Sequence, residues 1–407
     1  MDRDTAPNVL QRRLSRRALL QASSAAALLA ACSGGSKAAP TATQPAATEL
    51  PPAATLATAP TAAASLEEKI GQMLMVGFRG LTIAQSDSFA ADIQQHHLGS
   101  TVLFDYDVPS ASPVRNIQSL DQLAALTAGL QSLASTPLLI ATDEEGGQVS
   151  RLKEQFGFPP TVSAAYLGAQ NDVALTHQYA ATMADMLAAA GINLNLAPVV
   201  DLNVNPANPI IGALDRSFSA DPAVVTQQAL EFIRAHHERG VLCTLKHFPG
   251  HGSSTQDSHL GFVDVTNTWS ERELEPFANI IQAGEADVIM TAHVFNANLD
   301  PDYPATLSKP VVTGILRERL GYDGVVITDD MQMRAISDRY GFEAALQLAV
   351  EAGADIIAIA NNTVFEEGIA ARAAGVLIDL VHAGTISEQR IDESVQRIER
   401  LKARLAA

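Results

Sequence analysis

Gly324-Val325-Val326-Ile327-Thr328-Asp329-Asp330 decides how this chain is read. Val325 to Thr328 are apolar or β-branched, the composition of a strand buried on both faces. The run then breaks without a spacer into two adjacent carboxylates. Acids at the end of a buried strand cost free energy unless a site needs their charge.

The same arrangement recurs. Candidate strands run over 73–78, 101–104, 137–142, 193–200, 241–246, 287–292, 324–328 and 355–360. Their carboxyl ends read Asp143-Glu144-Glu145, Asp201, Lys246-His247, His293, Asp329-Asp330 and Asn361-Asn362. Between them lie helical patterns: Leu120, Leu123, Leu126, Leu130 and Leu133; then Val173, Leu175, Tyr179, Met183, Met186 and Leu187, stopping at Gly191. A last one places Ile391, Val395, Ile398, Leu401 and Leu405 at three- and four-residue spacing. These stripes are expected to face the core. Alternating strands and helices predict an α/β fold, here a single (β/α)8 TIM-like barrel with its chemistry at the carboxyl ends of the strands. A doubly wound sheet would gather the chemistry at one switch point behind a phosphate loop. Gly250-x-Gly252 leads instead into Ser253-Ser254-Thr255, with no third glycine opening a helix.

At about 150 residues per domain, 407 residues would make two or three domains. Residues 1–64 contain no Trp, Tyr or Phe, and 38–64 are mostly Ala, Thr and Pro, a solvated tether. The remaining 343 residues suit one large core. Residues 1–40 carry net +4 (Arg3, Arg12, Arg13, Arg16, Arg17 and Lys37 against Asp2 and Asp4), and Glu49 is the only other charge before residue 65. The overall −18 therefore leaves −21 on 65–407. Such a body repels a phosphate backbone, which excludes nucleic acid as a partner class.

The basic stretch Ser15-Arg16-Arg17-Ala18-Leu19-Leu20 precedes an apolar run too short to span a bilayer. The paired arginines resemble a twin-arginine signal, and Leu29-Ala30-Ala31-Cys32 resembles a lipobox whose Cys32 receives lipid. The expected organisation is a signal over 1–32, a disordered linker over 33–64 and one barrel over 65–407. The expected location is outside the cytoplasm, lipid-anchored at the outer face of the bacterial cytoplasmic membrane. With Cys32 lipidated, Cys243 has no disulfide partner; it lies in an apolar run and is read as packing.

Lys246-His247-Phe248-Pro249-Gly250-His251-Gly252 leads through a polar loop to Asp257-Ser258-His259. Asp257 and His259 are two apart, so an extended backbone points their side chains the same way. A carboxylate beside imidazole fixes its tautomer and favours the charged form, which makes a proton donor near neutral pH. Two other readings of the spacing stand beside it. One is a surface His paired with a solvated Asp; the other is a metal site from His247, His251 and His259, which needs the loop to fold back and lacks an HExxH pattern. Asp329 suits attack on an anomeric carbon, and Asp330 is expected to cap the following helix.

These segments resemble glycoside hydrolase family 3, in particular its bacterial β-N-acetylglucosaminidase branch. The resemblance covers nearly all of 65–407. It rests on KHFPGHG at 246–252 with DSH at 257–259, supported by Asp143-x-Glu145-Gly146-Gly147, Asp215-Arg216-Ser217-Phe218 and Thr328-Asp329-Asp330-Met331. It implies Asp329 as nucleophile, His259 as general acid/base oriented by Asp257, and Asp143, Arg216, Lys246 and His247 on the hydroxyls of the −1 sugar. It implies no cofactor and no metal. Where many family members have Arg after Glu-Gly-Gly, associated with a muramic acid carboxylate, this chain has Gln148. The second α/β domain that many members carry is expected to be absent.

The activity so implied is that of a retaining exo-β-N-acetylglucosaminidase acting on cell-wall or chitin-type oligosaccharides. Phosphorolysis by the same residues, β-glucosidase or xylosidase activity, and sugar binding without turnover are the alternatives.

Overall fold

The computed structural model describes residues 64–405. The expected signal, Cys32 and the linker up to residue 63 lie outside the described residues. Eight strands form the barrel: β1 Leu74–Gly77, β2 Ser100–Leu103, β3 Leu139–Thr142, β4 Leu194–Asn195, β5 Leu242–Phe248, β6 Val288–Thr291, β7 Val325–Ile327 and β8 Ile357–Ile359. From β1 to β7 each strand pairs in parallel with the next, and β8 pairs with β1 in register Leu74↔Ile357. Between β7 and β8 the ring is completed by the Ile327↔Ile356 bridge and by Ala358 N–H donating to Thr328 Oγ1 at 2.9 Å.

All barrel-strand residues are buried, as near-continuous apolar runs require once helices cover the outside. β4 is shorter than its apolar run. Pro198 has no N–H to give a ladder, and beyond Asn195 the chain stays beside β5 through a Val199↔Lys246 bridge and single bonds such as Val200 N–H donating to Lys246 O at 2.8 Å. β5 runs two residues further than expected, carrying Lys246 and His247 into the mouth.

Helix Val173–Ala189 starts where Asp172 Oδ1 accepts from Ala174 N–H at 3.0 Å and stops before Gly191 at φ +69°. Its apolar stripe faces the core except for Val173, which sits in the first turn and is exposed. The last helix, Glu388–Ala403, is fastened at the amino-terminal end of β8. There the buried Asp355 accepts from Arg317 (2.6 Å), Ser394 Oγ (2.9 Å) and Arg397 (3.3 Å). That charge network lies at the opposite strand ends from the candidate chemistry, where polar residues serve stability. Cys243 is buried in β5 and its thiol is pushed up by burial, as a packing residue should be.

Candidate active site

Just past β3 the chain makes a two-strand hairpin, Glu144–Gly146 against Val149–Ser150. Gly146 and Gly147 both have positive φ (+91° and +63°), and a Cβ on Gly146 would sit 2.3 Å from the Val162 carbonyl, so the turn requires glycine. The hairpin leaves Asp143 and Glu145 at the barrel mouth and turns Gln148 out into solvent.

A cavity of about 360 Å³ opens there, lined by Asp143, Glu145, Arg151, Arg216, Lys246, His247, His259, Asp329 and Asp330 among others. Lys246 Nζ lies 2.7 Å from both Asp143 Oδ1 and Glu145 Oε1. Arg216 grips the same Glu145 as a fork, Nε to Oε2 at 2.7 Å and Nη2 to Oε1 at 2.8 Å, while Nη1 donates to the Ile210 carbonyl at 2.7 Å. Arg151 adds a contact of 3.3 Å to Asp143 Oδ2. Burial works against ionised carboxyls, yet the Lys246 and Arg151 charges hold Asp143 below its ordinary range. Arg216 and Lys246 do the same for Glu145. The floor is thus a fixed charge lattice whose remaining lone pairs and N–H groups face the cavity.

His247 is oriented from behind. Its Nδ1–H donates to Asp201 Oδ2 at 2.7 Å, and the buried Asp201 also accepts from the backbone N–H of His247 (3.2 Å) and His251 (2.7 Å). With Nδ1 committed, Nε2 faces Arg216 Nη2 at 3.4 Å and the cavity. The metal reading of the histidines does not hold, because His251 turns away to two serines. No group of three or more His, Cys, Asp or Glu among the described residues is placed to hold a metal ion.

Asp329 follows β7 and is half-buried. Burial raises its carboxyl, but His293, His247, His259 and the Asp330 N–H (2.8 Å to Oδ1) outweigh this and hold it below the usual value, hence ionised. Asp330 does not cap a helix. Its Oδ1 accepts from Gln332 N–H (3.1 Å) and Ala360 N–H (2.9 Å), and the next helix, Arg334–Tyr340, has Met333 at its start with no side-chain cap. Asp330 ties the loop after β7 to β8 instead. With no cation paired to it, burial pushes it up to about 6.

His259 is exposed, and its Nδ1–H donates to Asp257 Oδ1 at 2.8 Å. Desolvation pulls its pKa down, but the Asp257 bond and the Asp329 charge raise it above the ordinary value. Nε2 therefore carries a titratable proton. With the roles that the family resemblance implies, nucleophile for Asp329 and acid for His259, activity needs Asp329 deprotonated, above its lowered pKa, and His259 protonated, below its raised one. Turnover is expected between an acid limb below the usual Asp value and a basic limb above 6.5. Asp257→Asn removes the main raising contact, so the basic limb of kcat/KM should move down; an unchanged limb would refute the pairing.

Asp143, Arg216, Lys246, His247, His259 and Asp329 thus line one cavity, and Asp257 stands behind His259. Three site residues were not singled out from the sequence. Asp201 was visible as a strand-end acid, and Glu145 as the acid two past Asp143. Arg151 carries no signal until the hairpin brings it back over Asp143.

A parallel barrel whose strand ends gather an ionised acid, a histidine paired with a carboxylate and a lattice of buried charges around one cavity has the layout of a barrel enzyme. The chain itself belongs to glycosyl hydrolase family 3: residues 65–401 match the Glycosyl hydrolase family 3 N terminal domain. It is 36% identical to Beta-hexosaminidase A of Pseudoalteromonas piscicida over 77% of this chain and 54% of that protein. It is 35% identical to a Beta-hexosaminidase of Xylella fastidiosa over 77% of this chain and 92% of that one. Among solved structures, a family 3 beta-N-acetylglucosaminidase from Paenibacillus superposes with TM-score 0.77 at 40% identity, covering 84% of this chain and 63% of the other. A Beta-N-acetylhexosaminidase from Beutenbergia cavernae gives 0.76 at 32% identity, covering 84% and 100%. The chain therefore spans about half the length of the Pseudoalteromonas relative and under two thirds of the Paenibacillus one.

Proposed function

We propose that this chain is a retaining exo-β-N-acetylglucosaminidase acting on cell-wall or chitin-type oligosaccharides. The observation that carries this is a single cavity holding both an ionised Asp329 and a His259 whose Nδ1 is committed to Asp257. In the first step an Asp329 oxygen bonds to the anomeric carbon while His259 Nε2 gives its proton to the departing glycosidic oxygen. In the second, neutral His259 takes a proton from water as the water oxygen displaces Asp329 from the same carbon. Two inversions leave the anomeric configuration retained. Histidine suits the acid role here because the Asp257 bond and the Asp329 charge favour its protonated form. The packed barrel closes the cavity from below, and its volume of about 360 Å³ lies in the range of small-molecule pockets. Asp143, Lys246, Arg216 and His247 would hold the hydroxyls of that sugar. The hexosaminidase names of the relatives support a 2-acetamido group on it.

A panel of 4-nitrophenyl β-glycosides, with and without inorganic phosphate, tests this. Free N-acetylglucosamine is expected in both conditions, with slower release from glucoside and xyloside. Sugar 1-phosphate as the main product would make the protein a phosphorylase. Sugar binding with no release from any glycoside would make it a binding protein.

We also propose that the chain is exported and held by lipid on Cys32 at the outer face of the bacterial cytoplasmic membrane. The order of paired arginines, apolar run and Cys32 supports this. Among the described residues no helix is long and apolar enough to cross a membrane. Cys32→Ser should shift the protein from the membrane pellet to the soluble fraction; an unchanged pellet would count against lipid on Cys32.

A further inference from the structure

The loop that delivers His259 is held in two halves by different means. Its first half is locked through the backbone. The His247 and His251 N–H groups donate to Asp201, and those of Gly252 (3.1 Å) and Ser253 (3.4 Å) donate to Glu273 Oε2. Gly250, at φ +121°, lets the chain pass so close to Glu273 that a Cβ would meet that side chain at 2.5 Å.

The second half has no carboxylate from outside the loop; its backbone bond to an acid is internal, His259 N–H donating to Asp257 Oδ1 at 2.8 Å. Of Asp257, Ser258 and His259, only Ser258 reaches the interior: it is 1% exposed, whereas Asp257 is half-buried and His259 exposed. The Ser258 hydroxyl lies 3.2 Å from His251 Nε2, and His251 Nδ1 lies 2.9 Å from Ser254 Oγ. Ser254 is anchored in turn by Asn208 Nδ2 to its hydroxyl (3.0 Å) and Asn205 Nδ2 to its carbonyl (2.9 Å). On the other side, the Ser258 carbonyl accepts from Ala335 N–H at 3.3 Å, in the segment that follows Asp329. The buried His251 ring thus spans from the locked half of the loop to the segment bearing His259. Burial pushes His251 down to about 4, so the ring is neutral and offers one donor and one acceptor to the two hydroxyls.

We infer that His251 and Ser258 form a positioning pair that sets where the acid/base His259 stands relative to Asp329. Neither residue lines the cavity. The pair acts by holding the loop, and it rests on the role proposed for His259.

Ser258→Ala deletes one hydroxyl and leaves the backbone bond to Ala335 in place. The comparison that tests it is kcat/KM for 2,4-dinitrophenyl N-acetyl-β-glucosaminide, whose leaving group needs no proton, against N,N′-diacetylchitobiose, whose leaving group does. A well-placed general acid contributes about 10²–10⁴-fold, and a misplaced one should forfeit part of that. Ser258→Ala should lose about tenfold or more on chitobiose while staying within about threefold of wild type on the dinitrophenyl glycoside. Ser258→Thr should recover most of the loss, and His251→Gln should show the same split. Equal loss on both substrates, with N-acetylglucosamine binding weakened alike, would show mere damage to the pocket and overturn the inference. So would no loss on either. Failure of the wild-type protein to cleave either glycoside would instead overturn the proposed function, so the two failures are distinguishable.

Discussion

Asp329→Asn is expected to lower kcat/KM on any β-N-acetylglucosaminide by about 10³-fold or more. The amide keeps the shape of the side chain and can still accept the Asp330 N–H bond, so the fold should not suffer. What disappears is the negative charge that His293, His247 and His259 surround, and with it the atom that would bond to the anomeric carbon. Asp330→Asn is the control beside it. Asp330 spends its Oδ1 on the Gln332 and Ala360 N–H groups, a role an amide oxygen can keep, so the loss there should stay within about tenfold. Trapping with a 2-fluoro glycoside followed by mass spectrometry of the peptide around residue 329 reads the same question directly. Activity of Asp329→Asn within tenfold of wild type, or a label on another peptide, would remove Asp329 from the nucleophile's place.

Arg216→Met should cost about 3–5 kcal/mol of stability and abolish measurable sugar binding. Arg216 and Glu145 are both buried, and taking away one member of such a pair leaves an uncompensated charge in a poorly solvated place. Lys246 cannot replace the loss, because its ammonium is already shared between Glu145 and Asp143. Glu145 would then keep only a share of Lys246, whereas Asp143 retains both Lys246 and Arg151. Glu145→Gln in the Arg216→Met background should restore part of the stability without restoring binding. Chemical denaturation of the single and double variants reads the first effect, and titration with N-acetylglucosamine the second. An Arg216→Met protein as stable as wild type would mean that Glu145 relaxes to solvent and that the lattice is not rigid.

The barrel was legible because its signal is local. A strand covered by helices needs consecutive apolar residues, and Val325–Ile327 or Leu139–Thr142 announce themselves without reference to any partner. The strand ends were legible for the same reason. A strand boundary differs where hydrogen bonding, not burial, sets it: β4 ends at Asn195, ahead of Pro198, although every residue over 194–200 is buried. Asp330 was misjudged because an acid before a helix fits a cap from the sequence alone. Its partners, Ala360 N–H above all, come from the neighbouring strand.

The site shows the same division. His259 with Asp257 was readable, since two residues apart on one loop is a local relation. Asp201 with His247, Lys246 with Asp143 and Glu145, and Arg216 with Glu145 join residues on or after different barrel strands, 46 to 103 positions apart. Arg151 became part of the site only through a hairpin that depends on two glycines.

By itself the sequence determined that this chain builds a ring of parallel strands with acids and bases at one rim, because burial and strand period act residue by residue. Which acid is ionised, which histidine nitrogen is free and which carboxylate merely ties two loops together were decided by the tertiary structure alone. Those properties depend on the nearest charge and the nearest N–H, and closure of the barrel is what chooses both.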